Sequence, residues 1–235
     1  MKSDSKYINL ILTRLSKRYG YDPHTHLKHR NMVHLFVATF LSPQSTDAQV
    51  NRATPRLFGK FRTFEDYASA DPRTLQRYLK SINFYRTKAR NLRRSARMIT
   101  ERFDGEVPKT IAELTELPGV GRKVANVILN EGYGIDEGIA VDTHCGRVSV
   151  RLGLSRHKGN PAKIEQDLLR RIPKKEWGRA SNLLIELGRD TCKARKKECY
   201  RCVLKDVCPS SDAKEGQNVP RSGPASNKYN NRDHK

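Results

Sequence analysis

Apolar residues recur at helical spacing through most of this chain, and this pattern restricts the possible folds more than any other feature. In the first predicted helix, Ile8, Leu12, Leu15 and Tyr19 fall on one face. No segment shows the two-residue alternation of a half-buried strand. Further helices are predicted at residues 33–41, 45–58, 71–79, 87–103, 121–131, 143–152, 161–171 and 175–189. The sequence therefore predicts an all-α protein.

The predicted helix at residues 87–103 has one flank that is almost wholly basic. Its apolar residues face inward, and five basic residues are predicted to face outward: Lys88, Arg90, Arg93, Arg94 and Arg97. A solvated surface and a phosphate-binding face both fit this pattern.

The whole chain is strongly basic. Lys and Arg number 46 against 25 acidic residues, so the net charge is +21 and the pI is about 10.0. A charge of this size is typical of proteins that bind polyanions, and nucleic acid is the expected partner. A solvated basic surface without a partner is the alternative.

No segment of the chain has the pattern of an export signal or a membrane helix. The longest apolar run, at residues 32–41, is about half of the ~20 residues that a membrane helix needs. We expect an intracellular protein of the cytoplasm or nucleoid, without membrane contact. Residues 211–235 are rich in Ser, Asn, Gly and Pro, and they predict a disordered basic tail.

Lys123 occupies a position that helix electrostatics disfavours for a cation. It follows a glycine turn, in the first turn of the predicted helix at residues 121–131. Because a helix N-terminus carries partial positive charge, we expect the pKa of this ammonium to be lowered, which favours the reactive neutral amine. Lys123 is therefore a candidate nucleophile.

The glycine turn before Lys123 contains Gly119 and Gly121. Glycines permit a tight turn, and the backbone N–H groups at the start of the next helix could bind a phosphate oxygen. A Gly-x-Gly pair alone is also typical of an ordinary helical hairpin.

Asp142 stands at the head of the predicted helix at residues 143–152. Two roles fit this position. The carboxylate could cap the helix, which is worth roughly 1 kcal/mol, or it could serve as the partner of a reactive amine such as Lys123.

Two motifs resemble the endonuclease III family of helix-hairpin-helix DNA glycosylases: Leu-Pro-Gly-Val-Gly-Arg-Lys at residues 117–123 and Val-Asp-Thr-His at residues 141–144. The resemblance implies two helical lobes. One is a six-helix barrel at residues 25–136 that contains the hairpin. The other joins an N-terminal helix at residues 1–24 to an iron-sulfur lobe at residues 137–210. DNA would cross the cleft between them, where Lys123 and Asp142 would meet.

The resemblance also implies the chemistry. The Lys123 amine would attack C1′ of a damaged nucleotide, displace the base and form a Schiff base. Asp142 would help to deprotonate the amine and stabilise positive charge at the sugar, and β-elimination would then cut the strand. The implied function is a bifunctional glycosylase and abasic-site lyase that acts, as a monomer, on oxidised pyrimidines in damaged double-stranded DNA during base excision repair.

Four cysteines lie close together near the end of the chain, at Cys192, Cys199, Cys202 and Cys208. Their spacing is similar to that of the loop that holds a four-iron four-sulfur cluster in the endonuclease III family. Zinc is the alternative, but structural zinc sites usually show two close cysteine pairs, and only Cys199 and Cys202 form one here. Lys193 and Arg195 in the first loop are candidate phosphate contacts. Cys145 lies outside this spacing and is interpreted as a small helix residue.

Two segments resemble the family loops that fill the space left by a flipped nucleotide. Gln44 occupies the wedge position in residues 41–47, and Phe84 the apolar wedge position in residues 81–89. Asn83 stands where the family usually has a glycine. A buried aromatic residue beneath a loop is the alternative for Phe84.

Two other functions are considered. A mismatch-specific glycosylase of the same superfamily typically lacks the lysine, so the presence of Lys123 disfavours it. A non-catalytic module that binds damaged DNA would need neither Lys123 nor Asp142, and both are present.

Overall fold

The computed structural model describes residues 2–213 and contains helices and turns but no strand within them, which confirms the all-α prediction. Most of the predicted tail, from residue 214 onward, lies outside the described residues. The helices are α1 Lys2–Tyr19, α2 Met32–Leu41, α3 Asp47–Lys60, α4 Phe64–Ser69, α5 Pro72–Leu79, α6 Tyr85–Arg102, α7 Ile111–Glu116, α8 Arg122–Tyr133, α9 Thr143–Arg151, α10 Pro161–Arg171 and α11 Trp177–Asp190, with 3-10 turns at Lys174–Glu176 and Cys199–Arg201.

The chain divides into two compact units. One unit is the continuous segment His24–Ala140, and the other joins the residues up to Pro23 to those from Val141 onward. None of the described helices is long and apolar enough to cross a membrane.

Helix α2 lies at the centre of the continuous unit. Its residues 35–41 are all buried, so this helix is apolar on every side, as expected of a core helix. Phe36 packs edge to face against Phe64 at 5.4 Å between ring centroids. Helices α3, α6 and α8 all pack against α2.

Local capping signals set several helix boundaries in this unit. Asp71 caps α5 by accepting the Thr74 N–H at 2.7 Å, with Pro72 at the first helical position, as predicted. Helix α3 begins at Asp47, two residues later than predicted, because Thr46 forms a capping box with Gln49. A capping box at Thr63 also starts α4, a six-residue helix that the periodicity did not predict because so short a helix shows less than two turns.

The predicted orientation of Lys88 is wrong. Arg90, Arg94 and Arg97 on α6 are exposed as expected, but Lys88 and Arg93 are half-buried. Its ammonium donates to the carbonyls of Leu41 and Pro43. Lys88 lies in the first turn of α6, and side chains in a helix lean toward its N-terminus, so this one reaches the loop that follows α2 instead of solvent.

In the discontinuous unit, α1 packs against α11 and α10. The Tyr7 hydroxyl donates to the carbonyls of Leu152 and Val207, at 3.0 and 3.3 Å. Helices α9 and α11 also make close contact, because a Cβ atom added to Gly188 would lie 2.8 Å from Cβ of His144 and 3.2 Å from its Cα. Gly188 therefore sets how closely these two helices approach.

We predict that Gly188→Ala lowers the free energy of unfolding by about 1 to 2 kcal/mol, because overpacking α9 against α11 outweighs the gain in helix propensity. Gly59→Ala in α3 is the matched control, since nothing lies within 4 Å of the added methyl group. It should leave stability unchanged or raise it by up to about 1 kcal/mol. Urea unfolding curves measure both. Equal effects of the two substitutions would contradict the close contact.

Candidate active site and cysteine pocket

The glycine turn between α7 and α8 lies directly on the core of its unit. Gly119 has φ 91°, a left-handed conformation that favours glycine. A Cβ atom at this position would also lie 3.0 Å from two ring atoms of Phe40. The Ser95 hydroxyl donates to the carbonyl of Pro118 at 2.9 Å. Gly119 is therefore required by both the backbone conformation and the packing.

At Gly121, in contrast, neither the backbone conformation nor the packing requires glycine. It caps α8 with φ −95° and ψ 170°, a conformation that any residue adopts, and a Cβ atom here would meet nothing within 4 Å. The first turn of α8 contains no acidic residue. Because a helix N-terminus carries partial positive charge, an anion is the ligand that suits this position best.

Lys123 is the second residue of α8 and is half-buried, while its neighbours Val124 and Ala125 are buried in the core. Its backbone is therefore anchored by the packing of α8. The structure thus places Lys123 in the first turn of a helix, as the sequence predicts.

Asp142 is the N-cap of α9. Its Oδ1 atom accepts the backbone N–H groups of His144 and Cys145, both at 2.8 Å. The capping role is therefore real, and it also holds the carboxylate in a fixed orientation at the end of the helix. Lys123 belongs to the continuous unit and Asp142 to the discontinuous one.

Gln44 and Phe84 share an unusual backbone conformation. Both are exposed and left-handed, with φ 57° and φ 58°. For residues other than glycine this conformation costs about 1 to 2 kcal/mol each, so the surroundings must maintain it. Phe84 is 66% exposed, and the alternative of a buried aromatic residue is therefore wrong.

All four cysteines of the C-terminal motif line a single pocket. All are free thiols. Burial raises the pKa values of Cys202 and Cys208, and the nearby Cys192 sulfur raises them further. Such thiols stay protonated unless a cation replaces their protons. Within residues 2–213, no group of three or more His, Cys, Asp or Glu side chains is arranged to hold a metal ion.

Hydrogen-bond donors point at two of these sulfurs. Arg151 donates to Sγ of Cys192 at 3.2 Å, and the backbone N–H of Leu204 lies 3.5 Å from Sγ of Cys202. Donors of this kind stabilise thiolates and are common around iron-sulfur clusters. Four thiols around one pocket are the type of ligand that a thiolate-bound cluster needs, although no three of them are arranged to hold a single metal ion. Cys145 is not one of these four thiols: it is fully buried on α9, and burial raises its pKa to about 12.

Two arginines on α9 hold the loop that begins at Cys192. Arg151 donates to the carbonyls of Lys193 and Ala194, at 2.8 and 3.1 Å. Arg147 donates to the carbonyl of Cys192 at 3.0 Å. Sequence reasoning missed both residues, because neither belongs to a motif and their partners lie more than 40 positions away.

The basic side chains of this loop differ in whether they have a carboxylate partner. Lys193 forms an ion pair with Glu198 at 2.6 Å, and Lys197 forms one with Asp212 at 3.0 Å. Arg195 and Lys196 are exposed. Lys193 is exposed despite this pairing, so its contact with a phosphate stays a prediction.

Known proteins with similar sequences and folds include repair enzymes. The family model for HhH-GPD superfamily base excision DNA repair proteins matches residues 37–174. Endonuclease III of Bacillus subtilis is 42% identical over 220 residues, which cover 93% of this chain and 96% of that protein. Endonuclease III of Synechocystis sp. is 44% identical over 187 residues, 80% of this chain and 85% of that protein.

Among solved structures, one described as a trapped endonuclease III–DNA covalent intermediate is similar to this chain. It is 41% identical, with a TM-score of 0.82, and the match covers 88% of this chain and 96% of that one.

Capping by Asp142 predicts that Asp142→Ala lowers the free energy of unfolding by about 1 kcal/mol, because two N–H groups at the start of α9 lose their acceptor. Asp142→Asn should stay within about 0.5 kcal/mol of the wild type, since an asparagine amide oxygen caps equally well. Urea unfolding distinguishes the two. If the asparagine variant were as unstable as the alanine variant, the cap would not be the source of the stabilisation.

Proposed function

Because this chain belongs to the HhH-GPD superfamily and, within it, to the endonuclease III family, we propose that it removes oxidised pyrimidines from double-stranded DNA with Lys123 as nucleophile. It is a bifunctional DNA glycosylase and abasic-site lyase of base excision repair. The observation that carries the residue assignment is the position of Lys123, a lysine in the first turn of α8 that follows the glycine turn at Gly119 and Gly121.

The proposed reaction begins when the neutral Lys123 amine attacks C1′ of the damaged nucleotide. A bond forms between Nζ and C1′, and the bond from C1′ to the base breaks, so the base leaves with its bonding electron pair and takes up a proton. Opening of the sugar ring at O4′ then gives an iminium ion. An amine is required here, because an oxygen nucleophile forms no iminium.

The iminium acidifies the protons on C2′. Loss of one of them drives cleavage of the bond between C3′ and its phosphate oxygen, which cuts the strand on the 3′ side of the lesion. Water finally hydrolyses the iminium and releases the lysine. Each step uses the same nitrogen, so one residue supports both base removal and strand cleavage.

Asp142 is proposed to accept the proton of the Lys123 ammonium and to stabilise positive charge at the sugar. Support comes from its two hydrogen bonds to backbone N–H groups. These donors are neutral, so they orient the carboxylate and leave its negative charge in place. A carboxylate that is oriented before the reaction needs no reorganisation in the transition state.

We propose that the DNA backbone is held by the N-terminus of α8 at Gly119 and Gly121 and by exposed Arg195. A helix N-terminus and arginine side chains are typical phosphate ligands and carry no sequence preference.

Gln44 and Phe84 are proposed to fill the gap in the base stack after the damaged nucleotide has flipped out of the duplex. Lys193, which is ion-paired in the structure, would have to leave Glu198 to reach a phosphate. The enzyme is proposed to act as a monomer.

Cys192, Cys199, Cys202 and Cys208 are proposed to hold a four-iron four-sulfur cluster. Four thiols around one pocket, two of them facing N–H donors, support this assignment. When bound, such a cluster crosslinks the segments that carry its cysteines, which is a structural role.

The lyase mechanism predicts that borohydride traps a covalent complex between the protein and a duplex that contains thymine glycol or an abasic site. Lys123→Gln should reduce trapping by at least about 1,000-fold, because the nucleophile is gone, while duplex binding changes little. Denaturing gels measure trapping, and a gel-shift titration measures binding. Lys60→Gln, at an exposed lysine at the end of α3, is the matched control and should trap like the wild type. A wild type that binds but never traps would support the non-catalytic module instead.

The cluster assignment predicts about four iron atoms and four acid-labile sulfides per chain in protein purified without oxygen. Cys202→Ser should lose most of this iron and lower the melting temperature, because a thiolate ligand is missing. Cys145→Ala is the matched control and should retain its iron, since Cys145 lies outside the pocket. Elemental analysis measures both. One zinc per chain in the wild type would contradict the assignment.

A further inference from the structure

The two left-handed residues Gln44 and Phe84 are joined to each other through a side chain. Asn83, next to Phe84, donates its Nδ2 proton to the backbone carbonyl of Gln44 at 2.5 Å, across 39 positions of sequence. We call residues 41–46 and 81–85 the two wedge loops. This hydrogen bond between the loops links the backbone of Gln44 to the residue that precedes Phe84.

Lys88 holds the first wedge loop, residues 41–46, through three hydrogen bonds. Its Nζ donates to the carbonyls of Leu41 and Pro43, at 2.6 and 2.7 Å, and to the hydroxyl of Ser45 at 3.2 Å. An ammonium has three protons, so these three acceptors use all of them. Burial lowers the pKa of Lys88 to about 8, so the charge is still present at neutral pH. Lys88 is therefore engaged in the structure of the loop and is not available as a nucleophile.

Left-handed conformations outside glycine persist only when neighbouring groups impose them. Among the residues that the structure describes, three other than glycine are left-handed, Gln44, Phe84 and Asp104, and all three are exposed. Phe84 also leaves a large apolar ring 66% exposed. Backbone strain, an exposed apolar ring and specific hydrogen bonds are expected together where function requires a binding surface that is ordered before its ligand arrives.

We propose that Asn83 and Lys88 are positioning residues that hold Gln44 and Phe84 as one rigid pair, so that both side chains enter the DNA stack in a single step. The inference rests on the proposed function, because it assumes that these residues replace a flipped nucleotide. Holding the pair before binding removes the entropic cost of ordering two loops while the duplex is being opened.

Asn83 is the residue on which this link depends. A glycine at this position would have no side-chain amide with which to reach Gln44. The Asn83 amide makes the only side-chain hydrogen bond described between the two wedge loops within residues 2–213.

The experiment compares two reactions in Asn83→Gly and Lys88→Met. On a duplex with thymine glycol, both variants should excise the base about tenfold more slowly than the wild type under single-turnover conditions. The reason is that Gln44 and Phe84 are no longer held in position before DNA binds. On a single-stranded oligonucleotide with a preformed abasic site, β-elimination should stay within about twofold, because no stack must be opened. A loss confined to the duplex separates positioning from a general loss of structure.

Two matched controls complete the design. Asp104→Gly places a glycine at an exposed position of the same unit outside the wedge loops, and Lys60→Met removes an exposed lysine of that unit. Both should behave like the wild type on the duplex. Hydrogen exchange provides a readout without DNA: amides of residues 41–46 should exchange about tenfold faster in Asn83→Gly and Lys88→Met than in the controls.

Three results would overturn the proposal. Duplex excision in Asn83→Gly and Lys88→Met equal to the controls would show that the bonds do not position the pair. Equal losses on both substrates would assign these residues a structural or chemical role instead. A wild type that is inactive on both substrates would refute the proposed function, and the positioning role with it, even if the exchange rates changed as expected.

Discussion

The placement of Lys123 depends on one close contact, in which the backbone of Gly119 lies against the ring of Phe40. Phe40 belongs to α2, the most deeply buried helix of its unit, and α6 adds a hydrogen bond from Ser95 to the turn. The start of α8 is thereby fixed on a close-packed core that resists deformation. A lysine side chain is flexible, but its Cα position here is set by packing beneath it, which is the support that a reactive group needs.

Helix α9 plays a comparable part in the discontinuous unit. Its first turn orients the Asp142 carboxylate, and two arginines further along hold the loop that begins at Cys192. One helix of nine residues therefore carries a proposed catalytic group at one end and supports the cysteine pocket along its side. The contact of α9 with Gly188 on α11 fixes this helix in turn. A change in the packing of α9 would therefore alter both the orientation of the Asp142 carboxylate and the loop that begins at Cys192.

The sequence predicted structure correctly where the determining residues lie close together in the chain. Apolar periodicity located the longer helices, and Asp71 with Pro72 marked the start of α5 correctly, because both signals act within one or two turns. Long-range partners were not predictable: Lys88 looked like part of an exposed basic flank, yet its acceptors lie 43 to 47 positions earlier in the sequence. Lys193 and Glu198 are close in sequence, but only the fold of the loop turns them toward each other. In the candidate site, the motifs identified Lys123, Asp142 and the cysteines, whereas Asn83, Arg147 and Arg151 required the structure.

The discontinuous unit has a consequence for the order in which the chain folds during synthesis. Residues 24–140 are contiguous and can pack as soon as they leave the ribosome, but the partners of Tyr7 include Val207, 200 positions later. At about 5 to 20 residues per second, α1 waits on the order of 10 to 40 seconds for them. During that interval its apolar face, including Ile8, Ile11 and Leu15, has no native surface to cover it. Helix α1 is therefore made before the residues of the continuous unit but buried only after them.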